Sequence, residues 1–118
     1  MKIPTIKKTQ EEEGKIELIL SFPKNAIYFQ GHFPQIKILP GFAQVHFAMH
    51  FAQKYWLLKS DLSNIKKLRF TKIITPNTDI SLVLENHLPK KITFKYLTGN
   101  IGGDISHSSG EIHFDENK

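Results

Sequence analysis

Three of the chain's 6 histidines fall within a short stretch, at positions 32, 46 and 50, and they are the residues best suited to chemistry. His32 sits in the run Tyr28-Phe29-Gln30-Gly31-His32-Phe33-Pro34, whose Gly, Pro and packed aromatic residues read as an ordered loop. An imidazole changes charge near neutrality, so a histidine held by Gly31 and Pro34 suits removal of an acidic proton beside a carbonyl. The enolate oxygen formed in that step needs a hydrogen-bond donor. A backbone N–H at a helix N-terminus supplies one, with the helix dipole behind it. Pro40-Gly41 opens the next segment, and Gly41 has no side chain to keep a ligand from its backbone.

From Phe42 the apolar positions 42, 45, 48, 49, 52, 55 and 56 recur at close to helical spacing, which predicts one long helix. On it, His46, His50 and Gln53 fall at i, i+4 and i+7 and so form a polar stripe that needs partners. Three readings of His46 stand side by side. Protonated, it could act as a general acid or position a water. It could be a satisfied core histidine in a site that binds without reacting. Or His46, His50 and His32 could share a metal, although no carboxylate ligand is evident nearby and no metal is expected.

The remaining elements are strands. Lys15 to Phe22 is apolar and bounded by Gly14 and Pro23, and an earlier edge strand over residues 2 to 8 is weakened by Pro4. After the helix, Ser60-Asp61-Leu62-Ser63 reads as a turn and Ile65 to Ile73 as a strand. Ile80 to Glu85 and Ile92 to Leu97 follow as a hairpin about Leu88-Pro89-Lys90-Lys91, and Ile105 to Phe114 closes the domain. One α+β domain over residues 1-118 is expected, with an antiparallel sheet packed on a helix that is apolar nearly all round and therefore covered.

The composition narrows the function classes. A length of 118 residues suits one compact domain, and 40% hydrophobic with 23% charged residues is ordinary for a globular chain. The absence of cysteine excludes disulfides and thiolate-held metals. The amino terminus lacks an apolar leader-like run, and the stretch from Phe42 to Leu58 is broken by polar residues, so a cytoplasmic protein without a membrane span is expected. The net charge of +5 comes from scattered lysines rather than a stripe with interleaved aromatics, so nucleic acid is not expected as a partner. Lys66, Lys67, Arg69 and Lys72 could meet an acidic carrier, or could simply be a solvated strand face.

Gly31-His32-Phe33-Pro34 and Pro40-Gly41, in identity and mutual spacing, resemble the signature of the hotdog-fold 3-hydroxyacyl-acyl-carrier-protein dehydratases. Ala43-Gln44-Val45 looks most like the small aryl-polyene-type subgroup. Leu68 to Pro76 resembles the family's strand after the helix, with Asn77-Thr78 where the family has Gly-Asp, and Ser108-Ser109-Gly110-Glu111-Ile112 resembles its closing strand.

The resemblance implies a hotdog fold, an antiparallel sheet around one long central helix, and reversible dehydration of 3-hydroxyacyl thioesters on acyl carrier protein or coenzyme A. It implies catalysis by His32 and His46 and substrate contacts from Gly41, Phe33, Pro40, Phe29 and His50. A homodimer or higher assembly would bring His32 of one chain near His46 of the other, beside an acyl tunnel lined by Phe29, Phe33, Phe42 and Phe47. No cofactor is required. The family carries a carboxylate where this chain has His46 and usually glutamine where it has His50. Thioester hydrolysis and non-catalytic acyl or carrier binding therefore remain as alternatives.

Overall fold

A computed structural model of the chain describes residues 3–22, 38–56, 62–75, 79–88, 90–98 and 105–114. Strands β1 (Thr5–Glu12) and β2 (Lys15–Ser21) precede helix α1 (Gly41–Trp56). Four strands follow it: β3 (Leu62–Phe70), β4 (Asp79–His87), β5 (Lys91–Thr98) and β6 (Ile105–Phe114). They form one antiparallel sheet in the order β1-β2-β4-β5-β6-β3, and α1 packs on one of its faces. This is the α+β hotdog arrangement that the sequence led us to expect.

Alternation along the strands explains the packing. Ile16, Leu18 and Leu20 of β2, Ile80, Leu82 and Leu84 of β4, and Ile92, Phe94 and Tyr96 of β5 all point to the helix side and are buried, while charged neighbours face outward. From α1 the core takes Ala43, Gln44, Phe47, Ala48, Phe51 and Ala52. Three of those six are alanines, and Phe47 and Phe51 fill the space between helix and sheet.

The strand boundaries differ from expectation where local chemistry intervenes. Pro4 precedes β1 and is buried, so it does not cost the edge strand a ladder donor, and β1 runs on to Glu12. The β1–β2 hairpin closes through Glu13 and Gly14. Gly14 has φ +74°, a conformation for which glycine is favoured, and its carbonyl accepts from Asn86 N–H at 2.8 Å. Leu62 already belongs to β3, so the expected turn over Ser60-Asp61-Leu62-Ser63 is not one throughout; Ser60 and Asp61 lie outside the described residues. β3 ends at Phe70 rather than at Ile73, because Thr71 and Lys72 both turn their N–H groups onto one acceptor, the His107 carbonyl, at 2.9 and 3.2 Å.

β1 and β3 are the sheet edges; the β1 pairing shifts register at Ile6/Lys8, and the β3 pairing at Leu62/Asn64 and at Lys66/Arg69. Lys67, within the last of these shifts, has φ 55°. Its ammonium lies 3.8 Å from Glu111, which also accepts from Lys91 Nζ at 3.1 Å and from His113 Nε2–H at 2.9 Å. His113 first, then Lys91, hold the Glu111 carboxyl well below its ordinary 4.5, at about 2. A lowered folded-state pKa contributes stability that is present above pH 4.5 and lost as the pH falls through 4.5 toward 2. Urea denaturation stepped across that window is expected to show a steeper loss of stability in the natural chain than in Glu111→Gln.

The helix departs from expectation in one respect. Within the chain it is covered on one side only: Phe42 is 67% exposed, and His46, Gln53 and Lys54 are exposed as well. No helix among the described residues is long and apolar enough to cross a membrane.

Candidate functional site at the start of the helix

The site is built on the backbone that leads into α1. Leu39 is buried, and its N–H donates to the Ile74 carbonyl at 2.8 Å, tying the approach to the helix to the segment that follows β3. Pro40 caps the helix with its carbonyl, which accepts from Ala43 N–H at 3.1 Å and Gln44 N–H at 3.2 Å. The N–H groups of Gly41 and Phe42 have no acceptor among the described residues. The first turn contains no acidic side chain to offset the positive end of the helix dipole, and a basic residue, Lys54, lies in the last turn. An anion or a polarised carbonyl oxygen suits such an end chemically.

Gly41 has a second reason to be glycine. A Cβ there would lie 2.8 Å from Cζ of Phe70 and 3.1 Å from its Cε1, so the aromatic ring occupies the space a side chain would need. Phe42 (67% exposed), Phe70 (49%) and Ile73 (54%) leave an apolar surface around this helix end.

The histidine stripe is visible but does not look inward. His46 is exposed and His50 half-buried, each with its ring edge-on to the next phenylalanine, Phe47 at 5.5 Å and Phe51 at 5.1 Å. Phe42, His46, His50 and Gln53 thus share the helix face that the sheet does not cover. His46 is therefore not buried by its own chain. Of the aromatic residues assigned to an acyl tunnel, Phe47 is fully buried and packs on Phe22 with ring centroids 5.9 Å apart, whereas Phe42 is on the surface. His32, Phe29 and Phe33 lie outside the described residues. Among the described residues no three metal-binding side chains cluster. Lys66, Lys67, Arg69 and Lys72 are all exposed on or just beyond the β3 edge.

Two buried polar groups at this end of the fold escaped sequence reasoning. Gln44, 3% exposed, donates from Nε2 to the Leu39 carbonyl at 3.1 Å and accepts at Oε1 from Ser108 Oγ at 2.6 Å. Its own carbonyl accepts from the Tyr96 hydroxyl at 2.7 Å. His107, 5% exposed, faces the Ile73 carbonyl with Nδ1 and the Thr98 hydroxyl with Nε2, both at 2.9 Å. A carbonyl only accepts, so Nδ1 carries a proton. The one signal available in sequence was a polar residue, Gln44, on the alanine-bearing side of the helix; its partners are 52 and 64 residues away.

The comparisons bear on what this arrangement serves. No curated protein matches the chain. Among solved structures, the dehydratase heterocomplex ApeI:P from Xenorhabdus doucetiae is similar at 26% identity with a TM-score of 0.81, over 96% of this chain and 97% of that one. An uncharacterized protein from Erwinia carotovora subsp. atroseptica is similar at 26% identity and TM-score 0.76, over 96% and 94% of the two chains. A thioesterase superfamily protein at 16% identity and TM-score 0.55, over 87% of this chain and 50% of that one, shares the fold. The model of the ApeI-like family, described as ApeI dehydratase, matches residues 7–111, so the chain belongs to the ApeI-like dehydratase family.

Proposed function

We propose that the chain catalyses reversible dehydration of 3-hydroxyacyl thioesters, carried on acyl carrier protein or coenzyme A, in a single-domain subunit that works as part of a dimer. The observation that carries this reading is the helix start. Two backbone N–H groups without acceptors among the described residues, at Gly41 and Phe42, stand at a helix N-terminus whose first turn carries no acidic side chain, after the Gly31-His32-Phe33-Pro34 and Pro40 run that resembles a dehydratase signature.

His32 takes the proton from the carbon beside the thioester carbonyl, and the electron pair of that C–H bond moves to the carbonyl oxygen, which the helix N–H groups hold as an enolate. The enolate then re-forms the carbonyl and expels the hydroxyl from the next carbon. His46, as imidazolium or through a water, gives that hydroxyl its proton, and water leaves from a trans-2-enoyl thioester. Proton and oxygen balance without a cofactor. Phe29, Phe33, Pro40 and His50 contact the substrate.

Exposure of His46 on the uncovered face of α1 supports a second subunit that completes the site. A similar protein is part of the dehydratase heterocomplex ApeI:P, so the second subunit is either another copy of this chain or a different chain. The test follows loss of conjugated-enoyl absorbance when trans-2-enoyl thioesters, carrier-linked and coenzyme-A-linked, are offered to the protein, with free thiol measured in parallel. Hydration without thiol release is expected. Thiol release would replace dehydration by thioester hydrolysis, and well-folded protein inert toward both carriers would leave acyl binding as the function.

A further inference from the structure

We infer that Gln44 is a positioning residue, holding the Leu39–Gly41 backbone so that the Gly41 and Phe42 N–H groups point at the thioester oxygen; the inference rests on the function proposed above. Leu39 is held through both of its backbone polar groups. Its N–H donates to Ile74, and its carbonyl accepts from Gln44 Nε2, while Gln44 is itself braced by Ser108 on β6 through Oε1 and by Tyr96 on β5 through its backbone carbonyl. Pro40, between Leu39 and Gly41, has φ fixed by its ring. With Leu39 held and Pro40 stiff, little freedom remains in the direction of the next two N–H groups.

Stability alone does not account for this arrangement. Gln44 and Ser108 are 3% and 1% exposed, and burying an amide and a hydroxyl costs desolvation that the hydrogen bonds roughly return. An apolar residue of the same length would fill the place in the helix–sheet core as well. It would not hold the Leu39 carbonyl. Burial drives the Tyr96 phenol pKa up, which favours the neutral hydroxyl that donates to the Gln44 carbonyl. Ile73, the neighbour of Ile74, is fixed in turn by His107, so the segment that receives the Leu39 N–H is anchored too.

The test compares Gln44→Met, Gln44→Glu and Ser108→Ala with the natural protein, each checked by thermal melting and assayed well below its melting temperature. Hydration of trans-2-octenoyl-coenzyme A gives the first readout. Gln44→Met is expected to lower kcat roughly 10- to 100-fold, the scale of a small misplacement at a reacting centre. KM should stay within about threefold, because the lost interaction acts on the transition state. Ser108→Ala moves in the same direction by less. In Gln44→Glu a protonated carboxyl reproduces the amide's donor and acceptor, so its kcat relative to the natural protein rises as the pH falls. Folded Gln44→Met with unchanged kcat, or a loss confined to KM, would overturn the inference.

The second readout, the amide resonances of Gly41 and Phe42 in the free protein, needs no turnover. They are expected to shift in Gln44→Met and in Ser108→Ala. If the natural protein is inactive, the proposed function fails while these resonances still decide the positioning claim; unmoved signals in folded variants sink it on their own.

Discussion

His32→Ala is expected to lower hydration of trans-2-enoyl thioesters roughly 100- to 10,000-fold, the contribution typical of a positioned general base. Its thermal stability should stay close to that of the natural protein. The size of the loss follows from the site's economy. In the proposed mechanism the donors at Gly41 and Phe42 stabilise the enolate once it exists, but they cannot take the proton that creates it, and no other histidine or carboxylate of the described residues lies in the helix start. His46→Ala should impair the reaction less severely, since water can partly replace a donor to the leaving hydroxyl. Measuring kcat/KM for both variants, with thiol release as the control, separates the roles. Equal activity of His32→Ala and the natural protein would remove His32 from the mechanism, and with it the proposed chemistry.

How much of this was legible in the sequence depended on distance along the chain. α1 and β6 were read almost to the residue, because helical spacing and alternation are local patterns. β3 was displaced because its start and end depend on partners in β6, namely Phe114 opposite Leu62 and the His107 carbonyl beyond Phe70. The helix was the instructive case. A segment apolar nearly all round does not announce which side meets the sheet. The polar stripe of His46, His50 and Gln53 was conspicuous and lies on the uncovered side, while Gln44, the polar residue that enters the core, looked like an interruption. The alanines at 43, 48 and 52 marked the inward face. Partners such as Ser108 and Tyr96 become neighbours of Gln44 only through the β4-β5-β6 order, which one sequence does not reveal.

Phe47→Ala is the substitution expected to cost most in stability, about 3–5 kcal/mol. Phe47 is fully buried at the middle of the helix–sheet contact and packs on Phe22, and the alanines around it cannot spread to fill the cavity its ring would leave. Set against a typical domain stability of about 5–15 kcal/mol, that loss endangers the fold and lowers the melting temperature by roughly 4 °C per kcal/mol. Phe42→Ala supplies the contrast. One residue into the same helix but 67% exposed, it should change the stability of the isolated subunit by no more than about 0.5 kcal/mol. If the uncovered face of α1 is where a second subunit sits, Phe42→Ala instead weakens association, and its melting temperature becomes more dependent on protein concentration than that of the natural chain. A large, concentration-independent loss for Phe42→Ala would mean that this face is not an interface, and His46 would then have no second subunit to serve.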